Sequence, residues 1–551
     1  MDFEIIGIGS ALVDITVHVS ESFLEAEGLP KGGMTLIDAG RAREFLNKLP
    51  ADERELSPGG TTANVMAAFA HCGGKPAFVG KVGRDWLGEY FKRETERTGV
   101  AFVELRSEKT PTGSAFTFIT PDGERTFATY LGAAAELSPA DLPPDLFRRA
   151  PLLHIEAYLV VNRELMDYLL ITGKANGQKI SMDLSSFGVV RENLDYFEKI
   201  SRTYLSIIFA NEDESLAFTG LAPRDSLDVF SRLCEITVVK EGANGSYLAR
   251  RNHKVYLPAK KVWVEDTNGA GDAYAGAVLY GLSRGMSISA CGRLGTQAGA
   301  LIVSQKGARV TEDRARILRD FACAMDTLMI RRLEAGSLTP EMVAAAGREV
   351  ADFHAAAERC PNGDTILESL RSHIRKNFTQ MEACVGITLS GEQQQAIRDY
   401  VNTFLRTYER FFESRAREGR LIACHGDLHM EHIALGDRIT ILECLEFERS
   451  FPYSDAAMDV AFLAMDLDYH GRSDLATAFL DAYAERSGDD LIYDMVPFYK
   501  VLRACQRAAL ISVRLENPHL SEDERKSVIA TARKYFSLAE SYTRTKKNPA
   551  R

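Results

Sequence analysis

Among its 551 residues the chain has nine cysteines but no Cys-x-x-Cys pair, and an odd count scattered over this length argues against a disulfide framework. Reduced thiols are expected. No apolar run reaches the roughly 18 residues that a membrane span needs. Asp2 and Glu4 stand where a signal peptide would carry positive charge. No low-complexity tract argues for disorder. An excess of basic residues is missing too. With a formal net charge of -11, the long-range field repels nucleic acid and anionic membranes, so any phosphate site has to be local. These absences predict a soluble, cytoplasmic protein whose partners are small molecules, with no nucleic acid and no membrane. Oligomeric state is left open.

What is present is ordinary globular composition, 45% hydrophobic and 26% charged. The length exceeds what one core fills at about 100–200 residues per domain, so at least two domains are expected. Residues 3–9 form a short apolar run ending in glycine, the pattern of a buried strand that delivers a loop to a site. Asp14 follows. Residues 16–38 and 101–130 alternate apolar and polar positions around Pro121-Asp122-Gly123, which predicts strands and turns of a separate small sheet. Short β-branched runs at 77–82, 152–155, 179–183, 205–210 and 235–240 alternate with helical periodicity. That alternation predicts a parallel sheet covered on both faces, with ligands outside the carboxyl ends of its strands. After Arg309 the pattern turns long and helical. A boundary near residue 322 follows, giving domains 1–322 and 323–551, and no internal repeat relates them.

The sharpest motif is Asp266-Thr267-Asn268-Gly269-Ala270-Gly271-Asp272, which runs straight into the helical stretch 273–279. Small residues there let backbone amides converge at a helix N-terminus, where free donors and the helix dipole both favour an anion. Asp272 closes the motif. A carboxylate at that point can take a proton from an attacking hydroxyl while the amides of Gly269, Ala270 and Gly271 hold a transferring phosphoryl group. Taken alone, Gly-x-Gly-Asp is also what a tight turn with an acidic first helical residue looks like.

The full seven-residue run resembles the C-terminal signature of the ribokinase/PfkB carbohydrate kinase family, and the resemblance extends over the whole first domain. Gly59-Gly60-Thr61-Thr62-Ala63-Asn64 resembles the family's N-terminal glycine signature, and residues 80–88 its next glycine-containing segment. The resemblance implies an α/β fold, a ribokinase-like parallel sheet flanked by helices with a small β lid from about 16–38 and 101–130. It implies ATP and Mg²⁺ as cofactors, and transfer of a phosphoryl group to a hydroxyl of a sugar or nucleoside. Residue by residue, it makes Asp272 the catalytic base and Asp14, Gly59, Gly60 and Asn64 the acceptor site. Thr267, Asn211, Lys240, Gly242 and Gly245 fall to the nucleotide, and Asn211 with Glu214 to Mg²⁺ and its waters. Asn211-Glu212-Asp213-Glu214 is also what an acidic helix start looks like. Lys240 departs from the Thr of many relatives. Gln297 and Gly307-Ala308-Arg309 sit where relatives close the adenine pocket.

Residues 122–127 and 130–134 are most similar to the adenosine-kinase-like branch, as is the stretch 154–158. Ser10, four residues before Asp14, stands where nucleoside kinases of this kind commonly present Asn, which keeps a sugar acceptor open. Phe116, Phe118 and Phe127 are placed either to stack a base or to fill the core of the lid.

In the second half, residues 425–433, 441–447, 453–455 and 459–466 resemble the catalytic loop and metal strand of aminoglycoside-phosphotransferase-like kinases. By position Asp427 is the base, Glu446 (or Glu443 in another register) the metal carboxylate, and His432 stands where the common pattern has a metal-binding Asn. His425, His429, His432 and Glu446 alternatively suggest zinc. Residues 330–333, which resemble the hinge between kinase lobes, begin too soon after the first domain to leave chain for an N-terminal lobe. The second half is therefore expected to be a mainly helical, protein-kinase-like C-lobe without its N-lobe, serving regulation or scaffolding. A second active site and a non-catalytic nucleotide or sugar sensor are the alternatives.

Overall fold

The computed structural model describes residues 1–251, 253–361, 366–442, 453–516, 520 and 522–544. The chain divides into two units, Met1–Met325 and Asp326–Arg551.

The first unit weaves between two sheets. In chain order, β1 (Ile5–Ile8) belongs to a large sheet, and β2 (Leu12–His18), β3 (Met34–Leu36) and β4 (Glu55–Gly59) to a small one. The large sheet then gains β5 (Pro76–Gly83) and β6 (Ala101–Ser107), and the small one β7 (Gly113–Ile119) and β8 (Arg125–Tyr130). The large sheet is completed by β9 (Leu152–Glu156), β10 (Lys179–Asp183), β11 (Leu205–Asn211), β12 (Ile236–Lys240), β13 (Ser246–Arg250) and β14 (His253–Leu257). Its order is β14-β13-β12-β11-β10-β9-β1-β5-β6, parallel from β12 to β6 and antiparallel at β13 and β14. Every residue of β1 and β9 is buried, as central strands are in a sheet covered on both faces.

The small sheet runs β3-β8-β7-β2-β4. This corrects the predicted lid at two places. Residues 101–107 pair in parallel with β5, from Ala77 opposite Ala101 to Gly83 opposite Ser107, and so close the edge of the large sheet. A half-buried edge strand alternates just as a lid strand does, so the pattern could not say which sheet it joins. Conversely, residues 55–59 pair with β2 in the lid; Pro58 and Gly59 hide them, because both residues are poor strand formers. Phe116 and Phe118 are fully buried against Phe45, at ring-centroid distances of 5.4 and 5.3 Å. They are lid core.

Two helices carry the segments of interest. Thr61–His71 is buried from Thr62 to its end, and Ala270–Ser283 from Ala273 to Gly281. Both are apolar nearly all round, as helices packed on every side must be. They approach so closely that a Cβ on Gly276 would lie 2.3 Å from the Val65 carbonyl oxygen. Phe69 and Tyr280 pack edge to face at 5.7 Å nearby.

The second unit is mainly helical. Pro340–Ala356, Ile366–Glu382, Gly391–Thr407, Ala456–Tyr469, Ser473–Ser487, Ile492–Val513 and Glu522–Thr543 are its long helices, with two-stranded pairs at Leu421–Ile422 with Ser454–Asp455 and Ile433–Leu435 with Ile439–Ile441. The buried Arg415 bridges Asp455 and Asp489, each at 2.7 Å. Among the described residues no helix is long and apolar enough to cross a membrane.

The helix contact at Gly276 gives a direct test. Gly276→Val should lower the stability of the first unit by about 1–3 kcal/mol through overpacking, read as a lower urea midpoint. An unchanged midpoint would show that the two helices do not touch there.

Candidate active site

Gly269 caps the helix Ala270–Ser283 at φ +74°, and a Cβ there would fall 2.6 Å from Ala308. Only glycine fits that turn. Of the predicted amides, that of Ala270 is directed to the Thr267 carbonyl at 3.3 Å. Those of Gly271 and Asp272 have no carbonyl four residues back within the helix, and so they are the donors of its mouth. The mouth opens on a cavity of about 510 Å³ whose lining includes Lys240, Gly242, Gly245, Thr267, Gly271 and Tyr274. Residues 259–262 and Val264 complete one wall. Sequence reasoning missed them, since an irregular loop has no periodicity to read. The size suits a nucleotide-sized ligand, and a lining of small and apolar residues with a few polar groups is what such sites have.

Lys240, at the carboxyl end of β12, explains its departure from Thr. Its ammonium lies 2.9 Å from Asp183 Oδ2, and a Cβ on Gly271 would be 3.3 Å from its Nζ. A positive charge therefore sits beside the helix mouth. Burial pulls the ammonium down, but Asp183, Glu214 and Asp272 outweigh it and hold it above the ordinary lysine value. Asn211 and Glu214 form a reciprocal capping box. The Asn211 amide N–H and Nδ2 each donate to Glu214 at 2.9 Å, and the Glu214 N–H donates to Asn211 Oδ1 at 2.8 Å. Burial, then Asp183, raises the Glu214 carboxyl above the usual carboxylate range. Neither Asn211 nor Glu214 lines the cavity.

On the other side of Asp272 lies the predicted acceptor site. Asn64 Nδ2 donates to Asp272 Oδ2 at 3.0 Å, and Asn64 Oδ1 accepts from Arg309 Nε at 3.0 Å. Asp14, on β2, stands against Gly59, where a Cβ would fall 2.2 Å from Asp14 Oδ1. Gly60 has φ +91°, and a Cβ there would fall 2.1 Å from the Ser10 carbonyl. The two glycines are what let the backbone pass. Burial pushes Asp14 up to about 7 against the opposing charge of Arg309. Asp272 is also pushed up to about 7, first by burial and further by Asp183, with the Asn64 hydrogen bond and Lys240 working the other way. Three residues here were not predicted for the acceptor side. Arg309 was placed with the adenine pocket but reaches Asn64 and Thr95. Glu156 and Asp183 end β9 and β10, and strand ends are where such residues should have been sought. Glu156 accepts from Ser10 N–H, Ser10 Oγ and Thr62 N–H at 2.9, 2.7 and 3.1 Å. From the lid, Arg125 pairs with Asp266 at 2.8 Å, and Asp266 also accepts from the Asn268 and Gly307 amides.

In the second unit Asp427 lies in a loop held from below by Asp459, which accepts from the His425 and Gly426 amides at 2.6 and 2.8 Å. His432 Nδ1 lies 2.7 Å from the Asp427 carbonyl oxygen. His425 is turned to the Leu442 carbonyl at 2.7 Å. Glu446 and its alternative Glu443 lie outside the described residues.

Residues 27–314 match the pfkB family of carbohydrate kinases. The aminoimidazole riboside kinase of Salmonella typhimurium is 30% identical over 239 residues, which cover 41% of this chain and 74% of that protein. The structure of adenosine kinase from Sinorhizobium meliloti aligns with a TM-score of 0.53 and 32% identity, covering 58% of this chain and 99% of that one. A probable sugar kinase from Rhizobium etli aligns with a TM-score of 0.53 and 30% identity, covering 61% and 99%. The family match spans more than half of the chain and the two solved structures are matched over nearly their whole length: this chain belongs to the pfkB family of carbohydrate kinases, and it is an ATP-dependent kinase of a sugar or nucleoside.

Proposed function

We propose that the first unit transfers the γ-phosphoryl group of ATP directly, in line, to a primary hydroxyl of a riboside, with Asp272 as the base. The observation that carries this is the position of Asp272: hydrogen-bonded to Asn64 on the acceptor side and one residue from Gly271, which lines the cavity beside Lys240 on the other. Asp14, Gly59, Gly60 and Asn64 orient the acceptor, the Asp14 carboxylate gripping sugar hydroxyls. The nucleotide occupies the cavity at Thr267, Gly242 and Gly245, with the Gly271 amide and Lys240 meeting its terminal phosphates. Mg²⁺, when bound, neutralises phosphate charge; Asn211 and Glu214 suit it through waters, since their oxygens already serve the capping box. No covalent phosphoenzyme is needed. The lid, tied by Arg125 to Asp266, excludes water from the transfer. A riboside is favoured because aminoimidazole riboside kinase and adenosine kinase stand among the relatives.

The test is ADP release with ATP, Mg²⁺ and a panel of nucleosides and sugars. Release should depend on a riboside and fall about 10²–10⁴-fold in Asp272→Asn. Tight binding of ATP and acceptor without turnover would instead make the unit a sensor, and turnover with free hexoses alone would make the acceptor a sugar.

The raised pKa of Asp272 fixes two pH trends. A base must be deprotonated to act, so kcat/KM should climb as pH rises through about 7 and level off above it. For stability the sign is opposite. A carboxyl held protonated by the fold contributes stability at acid pH that is lost as pH rises through about 7. Asp272→Asn should therefore raise Tm at pH 8 and leave it nearly unchanged near pH 4, as thermal melts at the two pH values will show.

For the second unit we propose a kinase-like C-lobe without catalytic work of its own, acting in regulation or scaffolding. Support comes from Asp459 gripping the loop of Asp427 and from a chain that reaches residues 330–333 without an N-lobe. Asp427→Asn in the full chain should change ADP release on the panel by less than about twofold, a shift of under 0.5 kcal/mol. Residual turnover in Asp272→Asn that vanishes on adding Asp427→Asn would reveal a second active site.

A further inference from the structure

The loop that carries Asp427 brings three metal-ligating side chains together. One oxygen of Asp427 and one nitrogen each of His429 and His432 lie within 4.8 Å of one another. His429 Nε2 is 3.5 Å from Asp427 Oδ2, His432 Nδ1 donates to the Asp427 carbonyl oxygen at 2.7 Å and so leaves Nε2 as that ring's ligand atom, and the two imidazole rings are 4.2 Å apart at a tilt of 36°. Bonds of about 2.0–2.1 Å in a tetrahedral shell put neighbouring ligand atoms about 3.3–3.4 Å apart. The three ligand atoms, within 4.8 Å of one another, have at most about 1.5 Å to draw together to reach that spacing. Both histidines are buried, whereas the Asp427 side chain keeps 32% of its surface exposed, so the group is open on one side.

The loop is also held in place by contacts outside the cluster. Asp459 takes the His425 and Gly426 amides, Asp466 takes the Met430 amide at 3.0 Å, and Arg503 donates to the Gly426 carbonyl at 2.9 Å. His429 Nδ1 accepts from the Glu431 amide at 3.3 Å, which fixes the ring's orientation with Nε2 turned to Asp427, and a metal on Nε2 displaces the ring proton that this contact places there. Fixing of ligands by a surrounding shell is what metal sites require.

We propose that Asp427, His429 and His432 bind a borderline divalent cation, Zn²⁺ best, with the remaining coordination position open to solvent or a ligand. Two imidazoles and one carboxylate suit Zn²⁺ and disfavour Mg²⁺, which selects oxygen. The site is independent of the sugar-kinase reading, because it lies wholly in the second unit.

The test uses the full chain, stripped with a chelator, loaded with Zn²⁺ or Co²⁺ and desalted. Wild type should retain one equivalent of Zn²⁺ that excess Mg²⁺ does not displace, and Co²⁺ should give the visible d–d absorption of a low-coordinate nitrogen–oxygen site. His429→Ala and His432→Ala should each weaken binding at least about tenfold, while Cys323→Ser, which removes an exposed competing ligand, leaves it unchanged. Where alanine variants fail to fold, His429→Gln and His432→Asn supply the same comparison with side chains of similar size. Wild type that retains no Zn²⁺, metal displaced by Mg²⁺, or retention unchanged in folded histidine variants overturns the proposal.

Discussion

The 3.0 Å hydrogen bond from Asn64 to Asp272 joins residues 208 positions apart, and the rest of the first unit can be understood as what makes it possible. It needs two helices in near contact, which the missing side chain at Gly276 permits. It also needs the Asn64 amide in one orientation. Arg309 can only donate, so the Asn64 atom facing it at 3.0 Å must be Oδ1, and Nδ2 is left for the carboxylate. Arg309 is in turn anchored on Thr95 at 3.2 Å. A chain of donors thus runs from Arg309 through Asn64 to Asp272 and leaves one orientation for each member.

The same end of the sheet carries an excess of acid. Asp14, Glu156, Asp183, Glu214 and Asp272 gather around two cations, Lys240 and Arg309, which is an odd setting for phosphates in a chain of net charge -11. The acids are managed differently. Glu156 is satisfied by three donors, Asp183 by Lys240, and Glu214 by the capping box. Asp14, Glu214 and Asp272 all have raised pKa values, and the first and last of them are the two assigned to the acceptor and the proton. Carboxyls poised near neutrality serve general-base chemistry better than fully ionised ones would.

Much of this was legible in the sequence because the informative features are local. Seven consecutive residues build the helix mouth, and Gly59 and Gly60 are glycines for reasons visible in a few atoms of backbone and of Asp14. The parallel sheet was legible from buried β-branched runs. What was not legible depends on pairing at a distance. Nothing in residues 101–107 says which sheet they join, and Pro58-Gly59 reads as a turn until β2 is laid beside it. Arg309 is separated by 245 positions from Asn64. Lys240 was legible as a departure, but its reason, the Asp183 carboxylate 2.9 Å away, lies on another strand.

The two units also hold their loop aspartates in opposite ways. Asp272 sits where burial and neighbouring acid favour the proton. Asp427 is only partly buried, and His429, His432 and Arg507 outweigh that burial and hold its carboxyl well below the usual carboxylate range. A proton acceptor works through the free energy it gains on being protonated, so the first environment favours abstraction from a hydroxyl and the second opposes it. A carboxylate that stays ionised among ring N–H donors and an arginine is better suited to holding an orientation than to removing a proton. The difference lies in the neighbours supplied by each fold, since both sequences present the same residue in a glycine-containing loop.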